Sequence, residues 1–286
     1  MYPLLYLRRL LNNRSLFGYI NNGDNMNILI TGSRSNIGYS VAKSLALRGH
    51  IVYAGCKTIK EKEALEDKIK EEKIIMFPIV LNLLDDDFST IDNLNIDCLI
   101  LHASISNGGS ILEISNKRFN EVIDVNIIGN FKLLQRYLRY CYYKSAKGKV
   151  FITSSLAAFI PLPYLSSYTS SKLYLYNLAN TLRLELAYQK VDVKVSLILP
   201  GAYRTGFNDL MIENKALDNY ILKEKALNMT KYQKILFSLI EEFDYSSLVK
   251  NIVREIEKDN PSFIISSPII GKIFAKIYIL IRTFIV

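Results

Sequence analysis

The chain reads as an α/β protein: a doubly wound parallel sheet forming one domain, closed by a C-terminal amphipathic helix. Three observations carry that reading. From residue 27 onward, short apolar runs alternate with longer amphipathic ones, the rhythm of repeated βαβ units. The first apolar run leads directly into a glycine-containing turn and then a helix. No repeat or low-complexity linker divides residues 26–286, a length that suits one large α/β domain.

The elements follow in order. Met26-Asn-Ile-Leu-Ile opens a buried strand at 27–30, and further strands are expected at 51–54, 74–79, 97–101, 148–153, 193–199 and 263–266. Helices are expected between them at 37–48, 59–71, 117–142, 165–189 and 231–258. Residues 1–25 stand apart, with Arg8, Arg9 and Arg14 among leucines and no acid before Asp24. They suit a transit segment, a membrane-surface anchor or an upstream extension of a domain that starts at Met26. Residues 269–285 place Lys272, Lys276 and Arg282 on one side of a helical wheel and Ile273, Phe274, Ile277, Ile281 and Phe284 on the other. That pattern fits a peripheral membrane contact, and equally a helix packed over a pocket or in a subunit interface.

Composition narrows the class. A 50% hydrophobic content supports a substantial core and excludes a disordered chain. Cys56, Cys98 and Cys141 are scattered and odd in number, which points to a reducing compartment rather than a disulfide framework. With only His50 and His102, no metal site is expected. The net charge of +9 suits an anionic membrane surface or a phosphorylated cofactor. Nucleic acid is disfavoured, because the lysines are dispersed and no binding motif accompanies them.

Ser155 stands thirteen residues ahead of Tyr168, and Lys172 lies one helical turn beyond that tyrosine. Residues four apart share a helix face, so the lysine is expected to sit beside the phenol and pull its pKa down from about 10. A tyrosine of that kind can exchange a proton with a carbonyl oxygen that a neighbouring hydroxyl holds. Tyr140 with Lys144 and Tyr143 with Lys147 share the spacing, but no catalytic group stands at a matching distance from them.

After the first strand comes Thr31-Gly-Ser-Arg-Ser-Asn-Ile-Gly38, where backbone N–H groups and a helix N-terminus can meet a pyrophosphate. Gly32 and Gly38 fall where such a turn needs glycine. Asn36 occupies the middle place, tolerating left-handed backbone but adding a side chain where the phosphate would approach. The second strand ends Val52-Tyr-Ala-Gly-Cys-Lys57 and offers no acid for a ribose 2′-hydroxyl. Lys57 and Arg34 instead favour a 2′-phosphate, hence NADP(H) over NAD(H).

These motifs, in this order, resemble the short-chain dehydrogenase/reductase family, and the resemblance spans nearly all of residues 27–286. Thr31 to Gly38 is similar to its cofactor turn, Val125-Asn126-Ile127 with Gly129 to its asparagine segment, and Thr153-Ser-Ser155 to its serine segment. Tyr168 with Lys172 matches its tyrosine and lysine, and Pro200-Gly-Ala-Tyr-Arg-Thr205 its nicotinamide segment. Pro261-Ser-Phe-Ile-Ile with the basic, apolar end looks like the retinol and hydroxysteroid dehydrogenase branch. The resemblance implies a Rossmann fold in which Tyr168 exchanges the proton, Ser155 holds the oxygen, and Lys172 lowers the tyrosine pKa and binds the ribose. It also implies that Asn126 positions a water, that Thr205 bonds the carboxamide, and that Asn82 and Leu83 lie near the adenine. Gly32, Ser33, Arg34, Asn36, Ile37, Gly38, Lys57, Ala103, Pro200 and Gly201 complete the expected cofactor site. The family's Asn-Asn-Ala-Gly appears here as Leu101-His102-Ala103-Ser104, with His102 read as structural.

The resulting expectation is an oxidoreductase that passes a hydride between NADP(H) and a carbonyl or alcohol of an apolar lipid, retinoid, steroid or acyl substrate. Residues 206–230, rich in Leu, Ile, Met and Tyr, would form its lid. A reductase of carrier-bound 3-oxoacyl groups and a non-catalytic cofactor-binding, membrane-docked protein are the alternatives. A homo-oligomer, dimer or tetramer, is expected, in the cytoplasm or at a membrane on the reducing side, with organelle targeting if residues 1–25 serve as a leader.

Overall fold

In the structure, a computed structural model, residues 25–34, 36–85, 87–213 and 221–267 are described; the expected N-terminal extension, apart from Asn25, and the helix at 269–285 lie outside them. Among the described residues, seven strands form one parallel sheet: β1 (Asn27–Thr31), β2 (Ile51–Cys56), β3 (Phe77–Val80), β4 (Cys98–Leu101), β5 (Gly148–Thr153), β6 (Val193–Pro200) and β7 (Ile264–Ser267). Their order is β3-β2-β1-β4-β5-β6-β7. The winding direction therefore reverses between β1 and β4, and the crevice beyond their carboxyl ends is where such sheets bind ligands.

The strands are apolar on both faces because helices cover both. Neighbouring residues of one strand enter opposite cores: Leu29 and Leu99 pack with Val150 and Leu197, whereas Ile28 and Ile30 pack with Ile100 and Phe151. The second face is covered by α1 (Asn36–Leu47), α2 (Ile59–Glu71) and, late in the chain, α8 (Ser246–Ile256). The first face carries α3 (Asn116–Ile123), α4 (Asn130–Lys144) and α5 (Ser166–Gln189). Two further helices, α6 (Phe207–Glu213) and α7 (Lys223–Ile240), stand over the carboxyl end of the sheet.

Three expectations need correction. The third strand starts at Phe77 rather than residue 74, because Lys73 turns left-handed (φ 55°) and the Ile74 N–H returns to the Ile69 carbonyl, so 74–76 exit a helix. The helix expected over 117–142 is interrupted by a π-turn at Asp124–Gly129. The helix expected over 231–258 is two helices. Glu242 between them accepts a hydrogen bond from the Arg204 N–H and donates its own N–H to the Ala202 carbonyl, which pulls the chain out of helix, and Asp244 then receives the Ser246 N–H at 2.8 Å to start α8. Among the described residues no helix is long and apolar enough to cross a membrane.

Candidate active site

The carboxyl ends of β1, β4, β5 and β6 open into one cleft of about 1040 Å³. Its floor is tied together by Thr31, whose hydroxyl oxygen accepts the N–H groups of His102 and Ala103, both at 3.0 Å. The turn above β1 then packs as closely as backbone allows. Gly32 has φ +70°, and a Cβ there would lie 2.8 Å from the Ala103 Cα. A Cβ at Gly38 would collide with the Gly32 carbonyl and the His102 ring. Both positions therefore require glycine, one for conformation and space, the other for space alone. Ser33 faces inward, its hydroxyl donating to Ile30 and Gly55 carbonyls, so it braces the turn instead of lining the cleft.

A dinucleotide fits this cradle. Gly32, Arg34, Asn36 and Ile37 line one end of the cleft, and α1 begins there with no acid in its first turn, leaving its positive end free for phosphate. Lys57, Asn82, Leu83 and Ala103 line the adjoining wall. Asn82 forms a local turn, accepting the Leu84 N–H at 3.2 Å. Asn36, left-handed at φ 56°, turns its side chain away from its own turn and onto the Thr205 carbonyl at 3.1 Å.

One acid escaped the sequence reading. Glu61 lines the cleft at the end of β2, where it accepts the Lys57 N–H at 2.9 Å and pairs with Arg34 at 3.7 Å. Its signal was local: Thr58-Ile-Lys-Glu61 is a capping box, with the Thr58 hydroxyl accepting the Glu61 N–H, and that box reaches the carboxylate back over the strand end.

Ser155, Tyr168 and Lys172 meet at the centre of the cleft. Ser155 caps a short 3₁₀ turn, its Oγ accepting the Ala157 N–H at 3.1 Å and keeping its own O–H to donate. Tyr168 is buried against the Phe207 ring, 5.7 Å between centroids. The Lys172 Nζ lies 5.6 Å from the Tyr168 ring centre and donates to the Thr153 carbonyl at 3.2 Å. The expected lowering of the phenol pKa is not what this arrangement does. Burial pushes Tyr168 up to about 12, against a smaller downward pull from its hydrogen bond with Ser155. Burial brings Lys172 down to about 7. His102 also lines the cleft, its Nδ1 at 3.3 Å from the Thr153 hydroxyl, and burial followed by the nearby Lys172 charge lowers it to about 4, which keeps it neutral.

Asn126 sits in the π-turn with no exposed surface. Its Oδ1 accepts the Ile105 N–H and its Nδ2 donates to the Ile105 carbonyl and Ser171 Oγ, each at 2.9 Å. Both amide hydrogens are thus engaged within the protein, so its side-chain N–H groups brace the loop after β4 against α5 rather than reach for a water. π-turns of this kind often mark functional sites. Pro200, Gly201 and Thr205 line the cleft, and the Thr205 hydroxyl accepts the Phe207 N–H at 3.4 Å to start α6. Of the stretch expected to form a lid, Leu210 and Met211 line the wall of the cleft; residues 214–220 lie outside the described ones. The wall extends past residue 230 to Leu236, Phe237 and Ile240 of α7. The other two tyrosine–lysine pairs are remote, with Tyr140 donating to Asn95 and Tyr143 exposed.

A parallel sheet with a backbone-built dinucleotide cradle, opening on a buried tyrosine and lysine, defines a nucleotide-dependent oxidoreductase. The chain belongs to the short chain dehydrogenase family, whose model matches residues 26–216, and it acts on alcohol or carbonyl groups. It is 30% identical over 198 residues to "Dehydrogenase/reductase SDR family member 2, mitochondrial" of Homo sapiens, covering 66% of this chain and 69% of that protein. It is 27% identical over 246 residues to "11-beta-hydroxysteroid dehydrogenase-like 3" of Arabidopsis thaliana, covering 80% and 78%. Its fold matches a short chain dehydrogenase/reductase from Burkholderia phymatum solved in complex with NAD, with TM-score 0.73, 16% identity and coverage of 90% and 93%.

Proposed function

We propose that the chain reduces the carbonyl of an apolar substrate with NADPH. The observation that carries this reading is the contrast between the two halves of the cleft. The cradle on one side faces a wall of Leu156, Ile160, Met211, Leu236 and Phe237 on the other, and they meet at Tyr168. Apolar walls of this kind reward apolar ligand surface at about 25 cal/mol per Å² buried. The likeness to a hydroxysteroid dehydrogenase-like protein supports a ketone on a lipid or steroid skeleton.

The hydride for the carbonyl carbon would come from NADPH held in the cradle. Ser155, whose O–H is shared with the Tyr168 oxygen, would hold the substrate oxygen with that same O–H. As the C=O electron pair moves onto that oxygen, Tyr168 gives it the phenolic proton. Burial holds Tyr168 as the neutral phenol at neutral pH, the form that can give the proton. Lys172, whose pKa burial brings down toward neutrality, would return a proton toward the phenolate and hold the cofactor ribose. Gly32, Asn36, Ile37 and the start of α1 would hold the pyrophosphate, and Thr205 the carboxamide.

Arg34 and Lys57 support a 2′-phosphate, and Glu61 opposes one. The phosphate would draw Arg34 from Glu61, so Glu61→Gln should raise the preference for NADPH over NADH by roughly fivefold, the worth of about 1 kcal/mol. Competitive steady-state kinetics with the two cofactors read this ratio. The reading as a whole is tested by following NADPH and NADH oxidation against aldehydes and ketones of rising apolarity. Turnover that increases with apolarity and favours NADPH supports it; no turnover with any carbonyl sinks it.

A further inference from the structure

We propose that Asn36 is a positioning residue: a strap that ties the cofactor turn to the hinge of the substrate lid. Its turn follows β1 and its partner Thr205 follows β6, with β4 and β5 between them in the sheet. Strands three places apart are separated by about 14 Å. The loops nevertheless converge until the Asn36 side chain reaches the Thr205 carbonyl at 3.1 Å, bridging the crevice over the ends of two strands. A carbonyl only accepts, so the atom facing it is the amide NH₂.

The backbone on each side suits this role. Asn36 holds φ 56°, a conformation that Asn tolerates and most other side chains do not. Thr205 accepts the strap with its carbonyl while its hydroxyl starts α6. Gly206, next in the chain, has φ +78° and nothing within 4 Å of the place a Cβ would take, so glycine serves there for conformation and not for room. The strap thus adds a bond from across the crevice to a residue whose own N–H donates to the Tyr203 carbonyl at 2.8 Å, just before an unpacked glycine. Beyond that glycine, Phe207 lies against Tyr168, and Met211 and Ile212 join Leu165 and Phe237 in a small core of their own. Holding Thr205 therefore holds the lid helix over the tyrosine and closes the crevice above any dinucleotide lying in it.

Hydrogen exchange at residues 206–213, measured without cofactor, tests the strap independently of the proposed function. Asn36→Gly keeps the left-handed turn and removes the amide; Asn36→Asp keeps the size and removes the donor. Both should exchange about 2- to 10-fold faster there than the parent, the worth of one modest hydrogen bond, with little change in melting temperature. Stopped-flow displacement should show NADPH leaving faster by a similar factor. The lost strap should show in KM for the ketone more than in kcat. Unaltered exchange in both variants would overturn the strap, as would an Asn36→Asp protein indistinguishable from the parent. Failure of the parent to bind NADPH would instead sink the cofactor reading and leave the exchange result to decide the strap.

Discussion

The two sides of the cleft are built from different materials. The cofactor side is backbone against backbone: Gly32 against Ala103, Gly38 against Gly32, with Thr31 joining β1 to the end of β4. The substrate side is side chain against side chain, with Phe207, Met211 and Phe237 gathered around Tyr168 and large apolar groups such as Leu210, Leu239 and Phe243 left exposed nearby. A backbone surface admits one ligand shape, because no rotamer can relieve a clash. A side-chain surface can be remodelled at small cost. Binding of the dinucleotide's pyrophosphate should therefore be brittle and substrate choice pliable.

The largest break in this comparison falls where the two sides meet. Tyr168→Phe should lower kcat by about 10²- to 10⁴-fold with NADPH affinity nearly intact, read by steady-state kinetics beside calorimetric titration. Next is the backbone side. Gly38→Ala forces a Cβ onto the Gly32 carbonyl at an overpacking cost of about 1–3 kcal/mol, so dinucleotide affinity should fall roughly 5- to 150-fold while the lid core is unchanged.

A third effect sharpens the comparison through pH. Lys172 ionises near 7 in the folded chain and near its ordinary 10.5 when unfolded, so above pH 7 the unfolded chain holds the extra proton and stability rises with pH. Above about pH 8.5 the buried thiols of Cys56, Cys98 and Cys141, all raised by burial, reverse the trend, and Tyr168, raised to about 12, adds to the reversal at higher pH. Melting temperature without cofactor should climb between about pH 7 and 8.5, by at most roughly 3–5 °C per pH unit. Lys172→Met should flatten the climb, and an unchanged slope in that variant would remove Lys172 as its source. The smallest effect lies on the pliable side: Ile240→Ser, at a half-exposed wall position, should raise KM for the most apolar ketone by only about 2- to 5-fold and leave NADPH affinity alone.

The same division explains what was legible in the sequence. Backbone demands write themselves locally, so Gly32, Gly38 and the apolar strands β1, β4 and β5 could be placed from short stretches of chain. The break between α7 and α8 could not, because it depends on Glu242 meeting the loop from Ala202 to Arg204, a contact across some forty residues that helical periodicity does not register. The π-turn at Asn126 is similarly set by partners outside its own helix, Ile105 and Ser171. Tyr168 and Lys172 were found by spacing, yet their ionisation was misjudged, since spacing speaks of neighbours and burial decided the outcome.

The strand order also bears on how the molecule comes into being. Once β4 has paired with β1, each later strand joins a growing edge in the order of synthesis, β5 then β6 then β7. The closest backbone contacts of the dinucleotide cradle lie between residues 31 and 103. The loop opposite waits for β7, because the Ser267 carbonyl receives both the Gly201 N–H and the Tyr203 hydroxyl. A chain emerging from the ribosome would thus present both sides of those contacts well before the strand that anchors the opposite loop. Its loop after β6 would gain that anchor only when β7 arrives.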